Sequence, residues 1–493
     1  MNDIRKQISL NLHALGKEIT NTHISALFSN KDLDTKVIKN NLLSFDYSKQ
    51  RINDKALDYL LKIPDIINLD NLLKDLLCGK AYNPSEDKAV SHTLYRNKNS
   101  IKNFELIFTE RERIKSFLER ASNFNFKNLI CLGIGGSRLG PELLNEFQSL
   151  NGPLKIHFSS SYDLIELTDI LKACDQRETL IFATSKSFET SEILKNLDHV
   201  KSWFKKTPKI NFKDHLYGIS SNTSAMTDYG VKKSNQFHIL DSLGGRFSIW
   251  SSVSLPAFIN SDFGAYLDLL EGARLADRHT ISMPWKENIP VMMALLSIWN
   301  RNSLCINNHG IFTYNFRLRS LTKYIAQLSM ESNGKSVNFE SKESPFLTSP
   351  LIWGDYGIES QHSTFQWLMQ GKTESSCDFI GINDGDIETL ESNEMLLSQV
   401  LAMSIGKVDL ESPFKSVKGN NPCSILQLHS SNLKALGFLL AIYEHKVFIE
   451  ATILGIDPFD QWGVQVGKNL ASEVKTNKEI LRENFSQIIH PKT

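Results

Sequence analysis

A single hydrophobic core seldom grows past roughly 250–300 residues, so a chain of 493 is expected to form two or three domains. Its 55 basic residues balance 55 acidic ones, and 41% hydrophobic with 22% charged residues is ordinary globular composition, which argues against a general nucleic-acid or membrane-surface binder. Cys78, Cys131, Cys174, Cys305, Cys377 and Cys423 are scattered without close pairs, so neither a zinc site nor a disulfide framework is suggested, and a reducing cytoplasm is the expected location.

The amino terminus, MNDIRKQISLNLHALGKEI, reads as an amphipathic helix broken by charges, unlike a signal peptide with its apolar centre. Residues 1–95 carry Leu, Ile, Lys and Asp at helical spacing, as in Asp54–Ile63 and Asn68–Leu77, and predict a helical amino-terminal segment. Ile101–Ala121 continues as a long helix. Strands then alternate with helices from Leu129 onward, the pattern of an α/β fold with mainly parallel sheets.

Leu129–Leu132 predicts a buried strand, followed by the glycine-rich turn Gly133–Ser137 and a helix in whose first turn Pro141 is expected. Glycines at 133, 135 and 136 let the backbone approach a ligand, and Ser137 adds a hydroxyl, so the turn could cradle an anion at a helix amino terminus. A plain strand-to-helix turn is the competing reading. A dinucleotide fingerprint would need glycine where Arg138 stands, and a nucleotide P-loop would need a Lys-Ser or Lys-Thr pair, so neither nucleotide class fits.

Lys155–Phe158 predicts a second strand, Asp163–Cys174 a helix, and Thr179–Thr184 a third strand that runs into SKSFETSEILKNL. There Ser185, Lys186, Ser187 and Thr190 crowd hydroxyls and an ammonium into another strand-to-helix turn. Routine helix capping would explain them, but ligands of open α/β sheets collect at these strand ends, and two such turns could share one phosphate. Leu216–Ser220 and Phe237–Leu240 complete the first sheet. Gly244 and Gly245 then place Arg246 on a tight turn, where it is either a solvated charge or a fixed cation for a developing oxyanion.

Asp262–Ser297 reads as helices around a connection near His279–Pro290. The second unit takes Gly310–Tyr314 as a strand and Leu318–Met330 as a helix that stops at Asn333-Gly334, with Glu331 near its end. Pro350–Trp353, Asp378–Ile382 and Cys423–Leu428 predict strands; Gln361–Met369, Asn393–Ile405 and Asn432–His445 predict helices. The apolar run Gly437–Ile456 is broken by Glu444, His445, Lys446 and Glu450, which argues against a spanning helix. Phe459–Lys468 is expected to open the terminal helix, with Lys468 on a similar face to Gln461.

Six motifs in this order, GIGGS (Gly133–Ser137), SKSFET (Ser185–Thr190), GGRFSIW (Gly244–Trp250), MESNGK (Met330–Lys335), QHS (Gln361–Ser363) and FDQWGVQVGK (Phe459–Lys468), resemble those of the glucose-6-phosphate isomerase family, also called phosphoglucose isomerase. The resemblance runs from about Leu129 to Leu470 and implies two sugar-isomerase-type α/β/α domains with mainly parallel sheets, flanked by helical segments. The expected division is a helical segment 1–95 packing on the large domain, sugar-isomerase-type α/β domains at 96–283 and 284–470, and a helical tail at 471–493. It implies a homodimer that interconverts glucose 6-phosphate and fructose 6-phosphate without a metal or cofactor, and no nucleic-acid or membrane partner.

Carried over by motif, Ser137, Ser185, Lys186, Ser187 and Thr190 match the family's phosphate ligands, with Gly136 and Gln461 as further substrate contacts. Glu331 matches the base that moves a proton between C2 and C1, Arg246 the cation beside the enediolate, and His362 with Lys468 the ring-opening groups, the histidine coming from the partner subunit. Departures are Arg138 where aspartate is common, Ser187 for threonine, Glu189 inside the phosphate turn, Ile358-Glu359-Ser360 before Gln361, Met369 for a histidine, and Asn421 at a usual arginine position. Acceptance of mannose 6-phosphate stays open as an enzyme alternative. A sugar-phosphate-binding regulator without turnover would be expected to lack the base, the arginine or the ring-opening pair, all of which are present.

Overall fold

A computed structural model describes residues 2–27, 34–97, 105–121, 123–148, 152–207 and 209–476. The predicted helix starting at Ile101 therefore has its first four residues outside the described set, as does most of the expected tail 471–493. Segment 1–95 holds helices at Asn2–Ile19, Asp54–Leu60 and Leu69–Leu77, but also β1 (Val37–Lys39), β2 (Leu43–Lys49) and a small hairpin, β3 (Tyr82–Asn83) with β4 (Lys88–Ala89). The reading of this segment as helical is thus corrected to a mixed one. Leu43, Phe45 and Tyr47 alternate with Ser44, Asp46 and Ser48, and the apolar set is buried, which is the period of a strand.

The first sheet comprises β5 (Asn128–Leu132), β6 (Lys155–Ser159), β7 (Thr179–Thr184), β8 (Leu216–Ser220) and β9 (Gln236–His238), all parallel, in the order β6-β5-β7-β8-β9. The second comprises β10 (Asn308–Thr313), β11 (Leu351–Trp353), β12 (Ser376–Ile382) and β13 (Cys423–Leu428), also mutually parallel, in the order β1-β2-β13-β12-β10-β11. The amino-terminal pair closes one edge, β2 running antiparallel to β13. Both sheets are crossed by helices, as parallel connections require.

The helix Leu433–Leu454 is buried along nearly its whole length, and the charges that break its apolar run each have a partner. Glu444 accepts from Arg96 at 2.5 Å and from the Trp250 indole at 2.8 Å; His445 meets Asp277 at 2.7 Å; Lys446 meets Glu450 at 2.6 Å. Glu450 also accepts from Asn333 at 3.0 Å. This core helix thereby braces both the turn that carries Arg246, through Trp250, and the helix end that carries Glu331, through Asn333. Among the described residues no helix is long and apolar enough to cross a membrane.

Helix Phe263–Ser282 packs against this core helix through glycines. A Cβ at Gly272 would lie 1.9 Å from the Lys434 carbonyl oxygen, and one at Gly437 would lie 2.1 Å from that of Leu269. Gly272→Ala is therefore expected to separate the two helices and cost about 1–3 kcal/mol of stability, read as a lower denaturation midpoint in urea. An unchanged midpoint would contradict this packing.

Candidate active site

The two strand-to-helix turns lie at the carboxyl ends of neighbouring strands. After β5 the chain turns through Gly135, whose φ is +57°, into the helix Gly136–Gln148. Gly136 has to lack a side chain, because a Cβ there would lie 2.0 Å from the Gly245 carbonyl oxygen and 2.8 Å from the Arg246 nitrogen. The first turn is in this way pressed against the arginine turn, with Ser137 one residue on. Pro141 lies in the second turn of the helix, not the first, where it removes the bond its N–H would make to the Ser137 carbonyl.

After β7 the chain reaches Ser185, Lys186, Ser187 and Thr190. Thr190 occupies the N-cap of the helix Ser191–Phe204 yet makes no capping bond; its hydroxyl meets that of Ser185 at 2.8 Å. Simple capping therefore does not account for it. The Lys186 carbonyl is pinned by the Ser220 and Ser221 hydroxyls at 2.7 and 2.9 Å and by the Ser221 N–H at 3.1 Å. Burial pulls the Lys186 ammonium below its ordinary pKa, opposed by Asp241 and helped by Lys88 and Arg246. Ser187 and Glu189 are exposed.

Arg246 is the second residue of a short 3-10 helix, Gly245–Trp250, and is 2% exposed. Its guanidinium donates to Ser332 Oγ at 2.7 Å, Gln461 Oε1 at 2.9 Å, the Asp460 carbonyl at 3.0 Å and the Pro458 carbonyl. Burial lowers its pKa, against the pull of Glu331, Asp460, Asp457 and Glu86, but an arginine stays charged through such shifts. Glu331, in the last turn of the helix Leu321–Asn333, brings Oε2 to 3.7 Å from Arg246 Nη1.

A second side chain reaches that carboxylate: Gln327 Nε2 donates to Glu331 Oε2 at 3.0 Å. Sequence reasoning missed Gln327, although a residue four positions before Glu331 on one helix face was the available signal. Gln327 also borders the first turn, since its Nε2 would lie 2.9 Å from a Cβ at Gly135. Glu331 opens into a cavity of about 720 Å³ lined also by Lys335, Asp457, Asp460 and Gln461. Lys335 donates to Asp460 Oδ1 at 2.8 Å and to the Asp457 carbonyl, and burial holds its ammonium below the ordinary value.

Arg246, Glu331 and Gln461 thus come together, and Gly136 packs beside them. Among the described residues, His362 and Lys468 are exposed and are not bonded to this cluster within the chain. His362 lies in an exposed turn between the helices Gly357–Ser360 and Phe365–Gln370, so the helix expected from Gln361 begins four residues later. Lys468 is exposed on the helix Trp462–Thr476. Among the described residues neither makes a hydrogen bond or ion pair to Glu331, Arg246 or Gln461.

Two of the unusual residues noted in the sequence find local partners. Arg138 binds Glu142 at 3.0 Å and the Ser160 hydroxyl at 2.9 Å, while buried Asn421 accepts from the Ser375 N–H at 2.9 Å. Among the described residues no group of three or more His, Cys, Asp or Glu is arranged to hold a metal ion.

A carboxylate facing a buried guanidinium can take up and return a proton beside a fixed cation. The chain matches the family model described as phosphoglucose isomerase over residues 46–486. It is 33% identical to a glucose-6-phosphate isomerase of Acinetobacter baumannii, covering 94% of this chain and 91% of that protein, and 33% identical to one of Hydrogenovibrio crunogenus, covering 92% and 91%. Among solved structures, a glucose-6-phosphate isomerase from Chlamydia trachomatis superposes with a TM-score of 0.88 at 29% identity, covering 97% of this chain and 96% of that one. With both a family match and relatives a third identical over more than nine-tenths of its length, the chain belongs to the phosphoglucose isomerase family.

Proposed function

We propose that Glu331 and Arg246 carry out the reversible isomerisation of glucose 6-phosphate and fructose 6-phosphate, the reaction of this family, through an enediolate. The observation that carries this reading is the Glu331 carboxylate 3.7 Å from a guanidinium already held by four other acceptors. Such a cation is preorganised, so it stabilises the developing oxyanion without reorganising water. Glu331 takes the proton from C2 and returns it to C1, one base serving both halves, while Gln327 steadies the carboxylate and Gln461 contacts the sugar. Ser137, Ser185, Lys186, Ser187 and Thr190 hold the phosphate, and Gly136 lets the first turn approach it. The remote phosphate then orients the open chain over the base. On the division proposed above, the site lies where the units 96–283 and 284–470 meet.

Ring opening falls to His362 and Lys468, which move the proton from O1 toward the ring oxygen, a task suited to an imidazole near pH 7. His362 is exposed and, among the described residues, makes no bond to Glu331 within the chain, which supports its serving the site of a second copy in a homodimer. The exposed apolar face of the terminal helix, with Trp462, Val466 and Leu470 each about half exposed, is consistent with a covering partner.

The test is subunit complementation. Glu331→Gln and His362→Ala chains, each impaired alone, are refolded together and assayed with a chelator present. Random pairing makes half the dimers hybrids with one intact site of two, so about a quarter of parental activity is expected to return. No recovery from chains shown to have paired would sink the shared site.

A further inference from the structure

The hairpin formed by β3 and β4 takes no part in the chemistry above, yet it touches both ends of the site. At one end, Ser85 Oγ donates to Asp460 Oδ2 at 2.5 Å and accepts from Trp462 Nε1 at 3.0 Å, on either side of Gln461. At the other, Lys88 Nζ lies 3.0 Å from Asp241 Oδ2, while Asp241 Oδ1 lies 3.8 Å from Lys186 Nζ. One carboxylate is therefore shared by two ammonium groups. Lys88, Lys186 and Asp241 line a small cleft together with Glu86, Gly244 and Gln461.

Such a contact does little for the fold. The Asp241 side chain is 63% exposed, and exposed ion pairs contribute little to stability. Nor is it needed to hold the turn, since Ser220 and Ser221 already pin the Lys186 carbonyl. What it can set is the charge that the Lys186 side chain offers to a ligand.

We propose that Asp241 and Lys88 form a charge-setting pair that fixes how strongly Lys186 holds the substrate's phosphate. This rests on Lys186 being a phosphate ligand. A dianionic phosphate and Asp241 compete for the same ammonium, and Lys88 offsets the carboxylate and so weakens its hold on Lys186. Without Lys88, Asp241 draws Lys186 aside and repels the phosphate. Without the charge on Asp241, Lys186 is released and Lys88 remains as a second nearby cation. The two substitutions therefore act with opposite sign.

The probe is inorganic phosphate as a competitive inhibitor of fructose 6-phosphate turnover at low ionic strength, with KM and kcat read separately and thermal unfolding followed in parallel. Lys88→Met is expected to raise the phosphate inhibition constant about two- to fivefold, and Asp241→Asn to lower it by a similar factor. The double variant falls nearer the parent than Lys88→Met does. The differences shrink in high salt and appear in KM more than in kcat. A hairpin with a purely structural role would instead weaken phosphate binding in both single variants and lower both unfolding temperatures. Shifts of the same sign, or no shift while Lys186→Met weakens phosphate binding, overturn the proposal. If Lys186→Met itself binds phosphate as the parent does, the assignment of Lys186 fails and the pair fails with it.

Discussion

Glu331→Gln lowers kcat for fructose 6-phosphate by about 10²–10⁴-fold, the usual contribution of a positioned general base, and leaves KM close to the parental value. Glutamine keeps the shape of the side chain and can still accept the bond that Gln327 Nε2 now gives Glu331 at 3.0 Å. The guanidinium opposite keeps its bonds to Ser332, Gln461, Pro458 and Asp460. Folding is therefore expected to survive while the base is gone. The coupled dehydrogenase assay and a thermal melt on one preparation check both halves. Equal rates for parent and variant would mean that the proton is moved by another group.

Arg246→Ala is expected to cost both activity and stability. Losing the fixed cation beside the oxyanion removes about 10²–10³ in kcat, the range seen when one preorganised donor is deleted. It also strips partners from the Ser332 hydroxyl, Gln461 Oε1 and two backbone carbonyls, and leaves a cavity where a side chain only 2% exposed had been. Removing one member of such a buried set destabilises by about 3–5 kcal/mol. Arg246→Lys separates the two effects. It restores a charge but not the planar fork that reaches four acceptors, so stability recovers further than turnover. A lysine variant with parental kcat would show that charge alone suffices.

The two strand-to-helix turns were legible because each pairs a short apolar run with breaker residues and hydroxyls, a local signal. The glycine at 136 was legible as part of a turn, but the reason it is glycine lies in the backbone of Gly245, more than a hundred residues away. The meeting of Arg246 with Glu331 is likewise a tertiary fact that no spacing reveals, and the motif resemblance alone pointed to it. Gln327 escaped although helical periodicity put it on the face of Glu331. Strands β1 and β2 were lost among helices because their period-two stretch is short and flanked by long runs at helical spacing. The charges of the helix Leu433–Leu454 were read as reasons against a membrane span. Their partners Arg96, Asp277 and Asn333 come from distant segments, so their bracing role appeared only in the packed core.

The most direct test of Glu331 as the proton carrier follows the hydrogen itself. Glucose 6-phosphate carrying deuterium at C2 is turned over in ordinary water, and the fructose 6-phosphate formed is read by NMR at C1. A single carboxylate that lifts the label and returns it predicts partial transfer to C1 with the remainder lost to solvent, and neither transfer nor loss by Glu331→Gln on the same timescale. Complete transfer with no loss to solvent, or exchange by Glu331→Gln at the parental rate, would contradict the assignment.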